Sequence, residues 1–91
     1  MTSDLATALG HVRNAVWQLL SDEREERLVL GLEALELEAL LNPDDVEPNV
    51  VPLAAGPAKS MTSARDVLEG APDQVPPAAW GAIRALIMKL G

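Results

Sequence analysis

Apolar residues in the first part of the chain recur in steps of three and four, at Leu5, Leu9, Val12, Val16 and Leu19. That spacing gathers them on one side of an α-helix, predicted here over 4–20. Ser3 or Asp4 can cap it, because either side-chain oxygen accepts from a free N–H of the first turn. Ala8 and Leu20 widen the stripe. Gly10 weakens the helix by ~1 kcal/mol relative to Ala without breaking the pattern.

A second helix is predicted over 22–41, where Leu, Glu and Ala dominate and all three are strong helix formers. Asp22 with Glu25 three residues later resembles a capping box, and Glu23, Glu25 and Glu26 place negative charge at the positive end of the helix dipole. Leu28, Leu30 and Leu32 alternate as a strand would, but Glu33 to Glu38 does not sustain the period of two. At ~100° per residue, Leu28, Leu32, Leu35 and Ala39 form one stripe, while Leu30, Ala34, Leu37 and Leu41 lie roughly opposite. Glu26, Glu33 and Glu36 flank them, together with Val29 and Leu40. A helix packed against a single core needs one stripe. Two stripes predict a sandwiched helix, covered either by the chain's own helices or by another chain. A long coiled coil is disfavoured, since no a/d heptad persists.

Asn42-Pro43 ends this helix, because proline disfavours helical geometry at the residue before it. Residues 43–60 contain Pro43, Pro48, Pro52, Pro57 and Gly56 and read as a long connector draped over the helices, with a short helical turn near 49–55. Thr62 or Ser63 then caps a short helix over 63–69, with Val67 and Leu68 inward and Gly70 as its stop. Ala71 to Gln74 reads as a turn. A last helix over 77–90 starts on Pro76-Pro77, where a first turn tolerates proline, and turns Trp80, Ile83, Ile87 and Leu90 inward with Ala79 and Leu86. The expected fold is all-α: a single domain over 1–91, a small bundle of three to four helices with a long Pro-rich connector.

Composition sharpens this picture. The 91 residues include no Phe and no Tyr, and Trp17 and Trp80 are the only aromatics. A chain of this size has a thin core, and here it must be built from aliphatic side chains, with Met1, Met61 and Met88 as gap fillers. Oligomerisation or a bound partner is the physical remedy for such scarcity. Abundant Ala and Leu, with Arg exceeding Lys, are also associated with high-GC bacterial or phage genomes. Without cysteine, disulfides and thiolate metal sites are excluded. No apolar run is long enough to span a bilayer and no secretory signal pattern opens the chain, so the expected location is cytoplasmic.

The formal charge of −7 is concentrated between Asp22 and Glu47, where ten acids face Arg24 and Arg27. A local field of this kind steers a basic partner or keeps a Leu-rich segment soluble. It also disfavours binding to a phosphate backbone. Catalytic constellations do not emerge. His11 is the only histidine, has no thiol or second imidazole to share a metal, and reads as an exposed polar residue on the first helix. Ser3, Ser21, Ser60 and Ser63 sit near predicted helix starts, where capping accounts for them. There is no Gly-rich phosphate loop, and Asp44-Asp45-Val46-Glu47 lacks calcium-loop spacing. No cofactor and no enzymatic activity are expected.

The leading expectation is therefore a small acidic interaction or regulatory module that binds another protein or, as a homodimer, a second copy of itself. Candidate partner-binding residues are Trp17, Leu30, Leu37 and Leu41, with Glu26, Glu33 and Glu36 steering approach. Trp17 lies ~120° from the centre of its helix's apolar stripe, so it meets a second helix or anchors a partner. Arg13, four residues earlier, is placed to lie over its ring. Two other classes fit less of the chain. One is an inhibitor of phage or plasmid type that imitates nucleic acid with its acidic surface. The other is a helical DNA-binding regulator using Arg84 and Lys89 in the last helix.

Overall fold

The computed structural model describes residues 3–91 and is all-helical among them, with four α-helices and one short 3-10 turn. Helix α1 spans Asp4–Leu20, α2 Glu25–Leu41, α3 Pro57–Glu69 and α4 Pro77–Leu90. A 3-10 turn, Pro72–Gln74, links the last two helices. Met1, expected as a gap filler, and Thr2 lie outside the described residues.

Helix α1 starts as its sequence dictates, with Ser3 Oγ accepting from the Ala6 N–H at 2.9 Å. Its predicted stripe is the backbone of the core. Leu9, Val12, Val16 and Leu19 are buried, as are Ala8 and Ala15, and Leu5 packs partly against them. Helix α2 folds back antiparallel to α1. The register is marked at two levels, where the Leu20 side chain lies over Gly31 and where Arg13 reaches Glu38 at 3.2 Å. Because Gly31 carries no side chain, the Leu20 chain and the Leu19 Cβ can approach the α2 backbone closely.

Asp22 does not cap α2, contrary to the sequence expectation. Its Oδ1 accepts from the Arg24 N–H at 3.0 Å, and the Arg24 guanidinium closes on the same carboxylate at 2.7 Å. The helix therefore begins after Arg24, which offers no side-chain cap. These bonds hold the Asp22 carboxyl at about pKa 2, below its ordinary value. Helix α3 is longer than predicted. Pro57 occupies its first turn, which needs no N–H there. Thr62 and Ser63 therefore lie inside the helix rather than at its cap, and the Thr62 hydroxyl donates to the Ala58 carbonyl at 2.9 Å. The added turns bury Ser60, Met61 and Ala64 beside Leu68. Helix α4 buries Ala79, Ile83 and Leu86 as expected, with Trp80, Ile87 and Leu90 packed at the margin. Met88 fills no gap and is exposed.

The connector forms no helical turn. It begins with a clasp in which the Asn42 side chain donates to the Val46 carbonyl and accepts from the Val46 N–H, both at 2.7 Å. Asp45 takes a left-handed backbone conformation within that turn (φ 55). From Asn49 to Ala54 the chain then runs extended along α1, in the same direction as that helix. The Asn49 N–H donates to the Ala6 carbonyl at 3.0 Å, and its side-chain amide donates to Thr7 Oγ1 at 3.1 Å. Asn14 Nδ2 donates to the Val51 carbonyl at 3.2 Å and Gln18 Nε2 to the Ala54 carbonyl at 3.0 Å. Thr7, Asn14 and Gln18 share one face of α1, and this strap occupies it. Gln18 also accepts from the buried Ser60 hydroxyl at 2.8 Å, so one amide joins α1, α3 and the strap.

Gly10 is the point of closest approach. A Cβ there would collide with the Asn49 carbonyl oxygen and press on the Val51 side chain. Gly10→Ala adds ~1 kcal/mol of helix propensity, but the obstructing atom belongs to the backbone and moves only with the strap. We expect a net loss of about 1–3 kcal/mol in thermal or denaturant unfolding, with faster hydrogen exchange at the Asn49 amide. Gly31→Ala meets chiefly the end of the flexible Leu20 side chain and is expected to cost less.

Candidate functional site

Helix α2 carries apolar residues on two sides, and the bundle buries only one. Gly31, Ala34, Leu37 and Leu41 face the core, with Leu30 packed partly against it. Leu37 and Leu41 are 3% and 1% exposed. The other stripe looks outward. Leu32 is 55% exposed, and Leu28, Leu35 and Ala39 are open beside it. Val29 and Leu40, beyond the row of Glu25 and Glu36, are exposed as well. No segment of the described chain covers this side.

The surface extends onto α1. Arg13 and Leu35 line the same shallow depression, next to Glu38 and Ala39. One turn beyond Arg13, Trp17 is 69% exposed and shares a small apolar cleft with Val16 and Leu20. Arg13, expected to lie over the Trp17 ring, directs its guanidinium across to Glu38. Both α2 and α1 thus expose large apolar side chains beside charged ones.

On its far side α2 borders α4, and the two helices leave an open groove between them. The Lys89 ammonium donates to both Glu33 carboxylate oxygens, at 3.0 and 3.2 Å, and this pair divides the groove in two. One half, of ≈ 760 Å³, is lined by Arg24, Glu25, Glu26, Val29 and Leu30 beside that pair. The other half, of ≈ 310 Å³, is floored by Leu37, Leu40, Ala82, Ala85 and Leu86, with Glu36 at its edge. Arg24 is already engaged by Asp22. Among the described residues, Glu25, Glu26 and Glu36 form no ion pair.

No family model, curated protein or solved structure matches this chain. The functional reading is carried by the residues themselves.

The structure gathers some of the predicted partner-binding residues and displaces others. Glu26, Glu33 and Glu36 lie together along the α2–α4 groove. Leu30 lies at the groove's floor. Trp17 is exposed and available to a partner. Leu37 and Leu41 are corrected: they face this chain's own core, and the open stripe is Leu28, Leu32 and Leu35. One signal in the sequence distinguishes the two sides. The buried side contains the small residues Gly31 and Ala34 at its centre, which permit close helix approach, whereas Leu32 and Leu35 occupy the centre of the outer one. His11 is also corrected. It is half-buried rather than exposed, its Nδ1 has no hydrogen-bond partner, and desolvation lowers its pKa below the ordinary 6.5. No group of three or more His, Asp or Glu side chains converges in metal-binding fashion among the described residues. No helix among them is long and apolar enough to cross a membrane.

Leu37→Glu is expected to unfold the bundle, because it forces a carboxylate into the core at a cost of roughly 4 kcal/mol or more. Leu32→Glu is expected to leave the thermal midpoint nearly unchanged; circular dichroism melts of the two variants check the assignment of the stripes. His11 gives a pH dependence. Well above pH 6.5 both folded and unfolded chains hold a neutral imidazole, and its full contribution is present. As pH falls below that value the unfolded chain takes up the proton more readily, and stability is lost. The denaturation midpoint is expected to drop between about pH 7.5 and 5.5, and less so in His11→Gln.

Proposed function

We propose that the chain is a protein-interaction module that docks its partner on the outward side of α2. The observation carrying this reading is the Leu28, Leu32 and Leu35 stripe, open to solvent on a helix whose opposite stripe already serves the core. A core with so few bulky side chains gains from every Leu it can bury, so leaving three on one exposed row is costly for a helix with no further contact to make. Trp17 and Leu20 add exposed apolar area on α1, and an exposed Trp is among the commonest energetic anchors of interfaces. The partner is another protein or a second copy of this chain.

Neither alternative class gains comparable support. A recognition helix would rest on Arg84 and Lys89, and Lys89 is paired with Glu33. An imitation of nucleic acid would need its carboxylates grouped away from apolar surface, whereas Glu25 and Glu36 adjoin exposed Leu and Val side chains.

The test combines a photo-crosslinking side chain at position 39, at the C-terminal end of the exposed stripe, with the double variant Leu32→Glu/Leu35→Glu. In extract of the source cell, and by sedimentation of the purified protein, position 39 is expected to crosslink to one defined partner or to a second copy. The double variant, still helical, is expected to lose that product. Identical products and masses from the parent chain and the variant would remove the basis of this reading.

A further inference from the structure

We infer that the occupant of this surface is a basic amphipathic helix of another protein, laid along α2 with its cations over the α2–α4 groove, rather than a second copy of this chain. The inference rests on the interaction-module reading above and adds the chemistry of the partner.

Charge complementarity carries it. Around the exposed side of α2, apolar and acidic rows alternate: Leu28, Leu32 and Leu35, then Glu25 and Glu36, then Val29 and Leu40, then Glu26 and Glu33. An entering helix meets apolar rows that accept Leu-like side chains and acidic rows that accept Lys or Arg. Three cations near this face are engaged within the chain, Arg13 with Glu38, Arg24 with Asp22 and Lys89 with Glu33, while Arg27, on the first turn of α2, forms no ion pair among the described residues and acts on Asp22. Glu25, Glu26 and Glu36 form no ion pair among the described residues, and Arg24, which lies within electrostatic reach of Glu26, is held by Asp22. Glu25 and Glu36 are eleven residues apart, about 16 Å along the helix, so an occupant that satisfies both spans at least three turns.

A second copy fits poorly. It carries the same net charge of −7 and would bring acidic rows toward acidic rows. The helix of this chain best suited to the groove is α4, which has no acid. Its cations are Arg84 and Lys89, and with Lys89 engaged by Glu33 a single Arg84 would face three carboxylates. The groove supplies more negative charge than another α4 can neutralise.

The probe is a fluorescent peptide of about 18 residues, roughly five helical turns, with one Leu face bordered by Lys. Two controls replace every Lys by Glu, or every Leu by Ser. Anisotropy with the full chain is expected to show binding of the Leu/Lys peptide alone. Its affinity is expected to weaken about tenfold as salt rises from about 20 to about 200 mM. Glu26→Gln/Glu36→Gln, which lies outside the core contacts, is expected to weaken it about fivefold at low salt. Leu32→Glu/Leu35→Glu is expected to abolish it. Unchanged affinity in the Glu26→Gln/Glu36→Gln variant, or equal binding of the Leu/Glu peptide, would overturn the inference. Self-association that is lost in the Leu32→Glu/Leu35→Glu variant, with no peptide bound, would overturn it in favour of a second copy while leaving the interaction-module reading intact. Absence of both peptide binding and self-association would sink the two together.

Discussion

The fold hangs on α1 being covered along three of its sides by segments that approach it closely. Helices α2 and α3 take two of them, and the strap takes the third. Close approach is possible because the contacts fall on small residues: Ala8, Ala15, Ala34 and Ala64 are essentially inaccessible, and Gly10 and Gly31 sit where any side chain would meet a neighbour. In a chain without Phe or Tyr, bulk cannot fill gaps between helices. The gaps are closed instead by drawing the backbones together, which raises packing density and the number of dispersion contacts each Leu makes.

Central placement of α1 determines what α2 is left to do. Being peripheral, α2 spends Ala34, Leu37 and Leu41 on the core and presents the remainder outward. The same position puts α4 against only one edge of α2, which leaves the groove, and the Lys89–Glu33 pair bridges the two helices from the last turn of α4. An exposed pair of this sort contributes little to stability. Its larger effect is local neutralisation, since it takes Lys89 out of play and leaves the surrounding carboxylates dominant.

The helical architecture was readable from spacing and punctuation, and so was the fact that α2 has two apolar sides. The choice of which side meets the core was not legible from hydrophobicity, because both stripes are rich in Leu. Gly31 and Ala34 carried that information through size rather than hydropathy. Two apolar stripes left α2 either central to the bundle or facing another chain; the first reading does not hold, because α1, with a single stripe, is the helix that is surrounded. Its third side is covered through amide hydrogen bonds from Asn14 and Gln18, along with Asn49 of the strap, and polar residues of this kind leave no trace in a hydrophobic period. The start of α3 was missed for a related reason. Thr62 and Ser63 look like caps, and only Pro57, placed where a first turn accepts it, marks the true beginning.

The strap is secured largely through its main chain, with the Asn49 side chain adding a bond to Thr7. Asn14 and Gln18 grip the carbonyl oxygens of Val51 and Ala54, while Val50 and Leu53 project into solvent. Anchorage is thus separated from the identity of the outward side chains. Those positions can diverge among descendants of this sequence without loosening the attachment, which makes the strap a display ribbon on which new surface chemistry can be tried at little risk to folding.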